Sequence, residues 1–135
     1  MKPDKSKPYG INDKNEIIYF KVKNNALDCF KNQLTSLHIP DTLFNLEYLY
    51  CYNNHLTSLH IPDSLVNLKI VSCCNNQLTS LHIPDTLINL KIVSCCYNHL
   101  TSLHIPDSLV NLKTISFDVT CVVDNMDRIE NIELY

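Results

Sequence analysis

The sequence predicts an α/β-type solenoid, made mainly of parallel β-strands with an irregular or short-helical opposite side, and three observations carry that expectation. The octapeptide Leu-Thr-Ser-Leu-His-Ile-Pro-Asp begins at Leu34, Leu56, Leu78 and Leu100, always 22 residues apart. The units starting at Leu56 and Leu78 differ only at Ser64/Thr86, Val66/Ile88, Asn75/Tyr97 and Gln77/His99, so they must share one local structure. Finally, no unit can fold alone. Burying the apolar set Leu46, Leu49, Cys51, Leu56, Leu59, Ile61 and Leu65 yields roughly 10 to 20 kcal/mol, against about 20 to 40 kcal/mol for ordering one unit's backbone. Stacking is therefore obligatory, each coil covering the apolar edge of the next.

Taken in order, residues 1–13 are rich in Lys and Pro and are expected to form a mobile tail. Residues 14–25 follow as a capping strand, because Ile18, Phe20 and Val22 alternate with Tyr19, Lys21 and Lys23. The solenoid proper is placed at 26–118, with about 4.5 turns. Within each turn the strand falls where the period is two, as in Tyr48-Leu49-Tyr50-Cys51-Tyr52, with Leu49 and Cys51 pointing inward. The Ile-Pro-Asp segment goes to the opposite side, since Pro rejects strand pairing and Asp before Ser or Thr is expected to cap a short turn of helix. Beyond Phe117 the period fails, with Thr120 and Asn125 standing where Asn and Leu are due. Residues 119–135 are assigned to a C-terminal cap, in which Val122, Met126, Ile129 and Ile132 fit either a helix face or a loose strand.

Read across the seam, the units run Leu46-x-x-Leu49-x-Cys51-x-x-Asn54-x-Leu56, then Leu68-x-x-Val71-x-Cys73-x-x-Asn76-x-Leu78, then Leu90-x-x-Val93-x-Cys95-x-x-Asn98-x-Leu100, preceded by the partial copy Leu27-x-Cys29-x-x-Asn32-x-Leu34. This resembles the leucine-rich-repeat motif from about Ala26 to Phe117. The resemblance implies a curved segment with a concave parallel sheet, and Asn32, Asn54, Asn76 and Asn98 as an inward ladder bonding backbone groups of the turns. Units with Ile-Pro or Leu-Pro occur in bacterial secreted effectors and in giant viruses of amoebae. The wording here most resembles the viral type, which implies a host-interaction role. In effectors, similar repeats can serve as recognition arms for ubiquitin-ligase domains, for which this chain has no room.

Lys and Arg total 11 against 14 Asp and Glu, a formal charge of -3 that gives no reason to expect nucleic acid as partner. The longest apolar stretch in the first 25 residues is Ile17 to Phe20, too short for a signal core or membrane span, so no membrane and a cytoplasmic location are expected. The seven cysteines recur at repeat spacing rather than framework spacing and are expected to be reduced.

No cofactor and no catalytic group are expected. His60, Asp63 and Ser64 have the right chemistry for nucleophilic catalysis, but they recur with His38, His82 and His104, whereas a reaction needs one preorganised site. The same His column is the wrong shape for tetrahedral zinc, although it could respond to pH. Cys51, Cys73 and Cys95 fall in phase with the core as small hydrophobes. Cys74 and Cys96 fall in the opposite phase, facing outward on adjacent rungs, where a thiol redox or metal site is conceivable.

The register places Phe30, Tyr48, Tyr50 and Tyr52 together on the open face, followed by Ile70 and Ile92, with Tyr97 further along. Aromatics dominate binding hot spots, but they also suit strands in general. Lys69, Lys91 and Lys113 form a basic row beside them that could meet an acidic surface. These residues are the expected contact set for a partner protein, with Phe30 and the three tyrosines as anchor.

Overall fold

The computed structural model describes residues 1–135. Eleven strands and no helix follow in order: β1 Tyr9–Asn12, β2 Ile17–Tyr19, β3 Ala26–Asp28, β4 Leu34–His38, β5 Tyr48–Tyr50, β6 Ile70–Ser72, β7 Ile92–Ser94, β8 Ser102–His104, β9 Thr114–Phe117, β10 Val122–Asp124 and β11 Asn131–Leu134. Six of them form one parallel sheet in the order β11-β9-β7-β6-β5-β3. The fold is the expected parallel solenoid, without the short-helical option on its far side.

The 22-residue period becomes register. Leu27, Leu49, Val71, Val93 and Ile115 are successive Cα partners across the sheet, and each is buried. One core cluster runs the length of the molecule, joining these to Leu34, Leu56, Leu78 and Leu100 and to the Ile-Pro isoleucines Ile39, Ile61, Ile83 and Ile105. Cys29, Cys51, Cys73 and Cys95 stack in the same core, filling the narrow column behind the strands as small apolar groups.

Polar groups inside the stack are satisfied by side chains that bridge coils. Asn76 is 7% exposed. Its Nδ2 donates to the Cys51 carbonyl of the preceding coil at 3.0 Å and to Cys73 of its own coil at 3.1 Å, while its Oδ1 accepts from the Leu56 N–H at 3.0 Å. Asn54 and Asn98 repeat this pattern. The side chain of Asn32, at the end of the ladder, bonds only carbonyls of its own coil, Cys29 and Phe30, while its N–H donates to Asn54 Oδ1. At the other end no Asn follows Asn98. Asp118 accepts from the N–H groups of Tyr97 and Asn98 instead, at 2.7 and 3.0 Å.

The Asp-Ser/Thr pairs do not cap helices. From the second pair on, each Ser or Thr hydroxyl instead donates to the carbonyl of the Asp one coil back, as Ser64 to Asp41, Thr86 to Asp63 and Ser108 to Asp85. A second ladder lies beside it: Asn67, Asn89 and Asn111 donate to the carbonyls of Phe44, Val66 and Ile88. Residues that favour helix starts in isolation serve here as staples, because the adjacent coil offers a fixed carbonyl and no helix competes for the hydroxyl.

The expected mobile tail differs in its last third. β1 pairs antiparallel with both β2 and β4. Gly10 permits this, because any Cβ there would sit 2.5 Å from Leu34 Cδ2 in the core. Buried Asn12 holds the following turn by accepting from the N–H groups of Lys14 and Glu16. The capping strand is accordingly shorter than 14–25. It ends at Tyr19, and the chain reverses at Asn24 and Asn25, both at positive φ, which Asn tolerates better than most residues.

At the other end, 119–135 is strand and not helix. β10 pairs parallel with β8, and β11 pairs parallel with β9, adding one more rung. Its inward position is open: Ile132, the partner of Ile115, remains 45% exposed.

Candidate functional site

The open face of the six-stranded sheet carries the outward residues of each rung. The register sets Asp28 beside Tyr50, Tyr50 beside Ser72, and Tyr48 beside Ile70 and then Ile92. Phe30, Tyr48, Tyr50 and Tyr52 do meet there, but as two pairs. The Phe30 and Tyr52 rings stack with centroids 5.0 Å apart and planes 14° off parallel. The Tyr48 and Tyr50 rings are parallel to within 5° with centroids 6.3 Å apart. The tyrosines are half-buried, since neighbouring rungs shield their flanks, and Phe30 is exposed. Burial pushes the Tyr50 hydroxyl pKa up, reinforced by Tyr48 and Asp28.

The basic row is not free. Lys69 Nζ lies 2.8 Å from Glu47, a pair that lowers the Glu47 pKa and raises that of Lys69. Lys113 stands 3.7 Å from Glu130. Lys91 alone of the three has no acidic partner, so the row presents one uncompensated charge to a partner rather than three.

Tyr97 is separate from the aromatic cluster. It packs edge-on against Tyr135 at 5.3 Å. Its backbone is left-handed, φ 54°, in the column where Asn53 and Asn75 adopt the same conformation at φ 55°. A bulky residue there costs roughly 1 to 2 kcal/mol of backbone energy.

The outward pair of cysteines is only half outward. Cys74 is partly exposed, but Cys96 is 6% exposed, a correction to the expected surface pair. Just beyond β11, Tyr135 packs edge-on against Tyr97, the neighbour of Cys96 in the chain. The Cys96 N–H donates to Cys74 Sγ at 3.2 Å, and burial drives the Cys74 pKa up. In the inner column burial pushes Cys29 and Cys95 up to about 12, and Cys51 and Cys73 well above the usual thiol value. None of these is an activated nucleophile.

The histidine column lies away from the sheet. His38 is bonded through Nε2 to the Lys5 carbonyl and packs on Tyr9, while His104 meets Asp124 at 2.9 Å. His60 and His82 are exposed, and no three His, Cys, Asp or Glu side chains are grouped so as to hold a metal ion. With its hydroxyl given to the Asp41 carbonyl, Ser64 is not presented to His60 as a nucleophile.

One set of residues escapes the sequence reading above. The Asn67, Asn89 and Asn111 staples recur at the 22-residue period and are visible in it, although the leucines beside them draw the eye.

Comparison with known proteins agrees with this geometry. Residues 44–87 match the family model described as Leucine Rich repeats (2 copies). No curated protein matches the sequence. Among solved structures the chain is similar to the functional domain of InlJ from Listeria monocytogenes, whose description notes a cysteine ladder, with TM-score 0.66 and 22% identity. The match covers 85% of this chain and 27% of that one, so the present chain corresponds to about a quarter of that molecule. With two units matched at 44–87 and the same coil stacked in register on either side of them, the chain has the fold of a leucine-rich-repeat-type solenoid.

Proposed function

We propose that the chain is a non-enzymatic binding module that holds another protein on the open face of its parallel sheet, anchored at Phe30, Tyr48, Tyr50 and Tyr52. The observation that carries this reading is the gathering of four aromatic rings on one face of adjacent rungs, half-shielded and framed by charges. Aromatic side chains bury large area with few rotors, which is why they dominate interface energetics. Ile70 and Ile92 extend the patch as its apolar border, and Lys91 supplies a free cation at its margin. The free thiols suit a reducing compartment, in keeping with a cytoplasmic site of action, and a host protein of an infected cell is one partner of this kind.

The test is affinity capture from cytosolic extract with the intact chain and with a variant carrying Tyr48→Ala, Tyr50→Ala and Tyr52→Ala. Loss of anchors of this type costs at least about 2 kcal/mol, roughly thirtyfold in affinity, so capture should vanish while the variant still melts in a single cooperative transition. Equal capture by a folded triple variant would remove the cluster from the contact surface.

A further inference from the structure

The geometry points to the Tyr48–Tyr50 pair, with Asp28 at its rim, as a slot for the guanidinium of an arginine side chain presented by the partner protein. This deepens the proposed function by naming the chemistry of the group that the face accepts. The two rings leave the same face of one strand two residues apart. Their 6.3 Å centroid separation therefore follows the strand repeat of roughly 6.6 Å and not ring contact. Phe30 and Tyr52, which come from adjacent rungs, approach to 5.0 Å and fill their own gap. A planar group sandwiched between two rings needs about 7 to 8 Å, two van der Waals separations of ~3.5 to 4 Å. The slot thus admits a flat group after a slight swing of one ring.

Which flat group is decided by charge. The ring faces are negative and attract cations. Asp28 sits directly across from Tyr50 in the register, is exposed, and belongs to none of the chain's four ion pairs. Glu47, on the other side, is occupied by Lys69 at 2.8 Å and is not available to a ligand. A free carboxylate beside two parallel π-faces selects a cation, and planarity selects guanidinium over ammonium, because only guanidinium stacks on both faces while donating hydrogen bonds in its own plane. Lys21 and Lys23 line a separate recess on the far side of Asp28, with Tyr19, Phe20 and Ala26, and neither forms an ion pair with its carboxylate.

The test uses the full chain and three blocked pentapeptides, Gly-Gly-Xaa-Gly-Gly, with Xaa as arginine, lysine or citrulline, followed by NMR of the tyrosine ring resonances. Citrulline keeps the plane and lacks the charge, whereas lysine keeps the charge and lacks the plane. The arginine peptide should shift the Tyr48 and Tyr50 rings and bind roughly fivefold or more tightly than either control. Asp28→Asn should weaken it severalfold, and Tyr50→Leu should abolish the response without altering the backbone spectrum. Equal responses to arginine and lysine would overturn the slot, equal responses to arginine and citrulline would overturn the role of charge, and silence of both rings would overturn the proposal entirely. Each of these outcomes can coexist with capture that depends on the three tyrosines, in which case the face still binds a protein, but through some other group.

Discussion

Replacing Asn76 with Leu should lower the melting temperature by roughly 10 to 20 °C, a larger effect than any single substitution on the surface of the sheet. The side chain is nearly isosteric, so little packing is lost and the change isolates hydrogen bonding. The Leu56 N–H loses the Asn76 Oδ1 it donates to, inside the core. The carbonyls of Cys51 and Cys73 lose one donor each but keep another, from Asn54 and Asn98 respectively. An orphaned buried N–H costs about 1 to 3 kcal/mol and each lost bond about 0.5 to 1.5, a total of roughly 2 to 5 kcal/mol out of the ~5 to 15 kcal/mol that hold a domain together. For a chain of this size each kcal/mol is worth about 3 to 5 °C. Asn32→Leu is the internal control, since that half-buried side chain accepts no bond from an earlier coil, and its cost should be about 1 kcal/mol.

Asn76→Asp sharpens the argument through pH. Its carboxylate would keep the bond from Leu56 but turn a negative oxygen toward two carbonyls, so its folded pKa is raised above the unfolded value. A carboxyl group shifted that way destabilises as pH rises through the unfolded and then the folded pKa. The aspartate variant should therefore gain stability relative to the parent between pH 8 and pH 4. If thermal melts show the leucine variant within 1 °C of the parent, the ladder is ornamental and the satisfaction argument fails.

The second large effect is kinetic protection of the thiol column. With pKa values pushed to about 12 for Cys29 and Cys95, the thiolate fraction near pH 8 is roughly a thousandfold below that of a free cysteine. Burial adds steric exclusion for Cys51 and Cys73, which have no exposed surface. Alkylation of the native chain should thus proceed only through opening of the stack. Because a single coil lacks the apolar burial to stand alone, central coils should open together, so Cys51 and Cys73 should share one labelling rate and one denaturant dependence equal to that of global unfolding. Mass spectrometry of pulse-labelled chain resolves this site by site. Labelling of Cys73 at the speed of an exposed thiol, without denaturant, would mean that the coils are not cooperatively stacked.

The repeating part of this architecture is legible in the sequence because a 22-residue period converts directly into register: whichever phase buries Leu49 also buries Val71 and Val93. The ends are not repeated, and there composition misleads. Lys2, Lys5 and Lys7 mask the short strand Tyr9–Asn12, whose existence depends on one glycine passing over Leu34. At the other end β11 follows β9 by 17 positions, Asn131 against Thr114, in place of 22, so a periodic search passes over the last rung. In the candidate site the face and membership of the aromatic cluster can be read from alternation alone. The pairing of its rings cannot, because it depends on rotamers, whereas the place of Glu47 one coil before Lys69 follows from the period itself.

The face itself is tested most directly by one binding measurement with two charge substitutions, Tyr50→Glu on the open sheet and His82→Glu on the exposed His column away from it, each titrated against the partner recovered by the intact chain. Binding lost in the first variant and unchanged in the second is the predicted result. Unimpaired binding by Tyr50→Glu together with loss in His82→Glu would contradict it and move the contact surface to the histidine side of the coil.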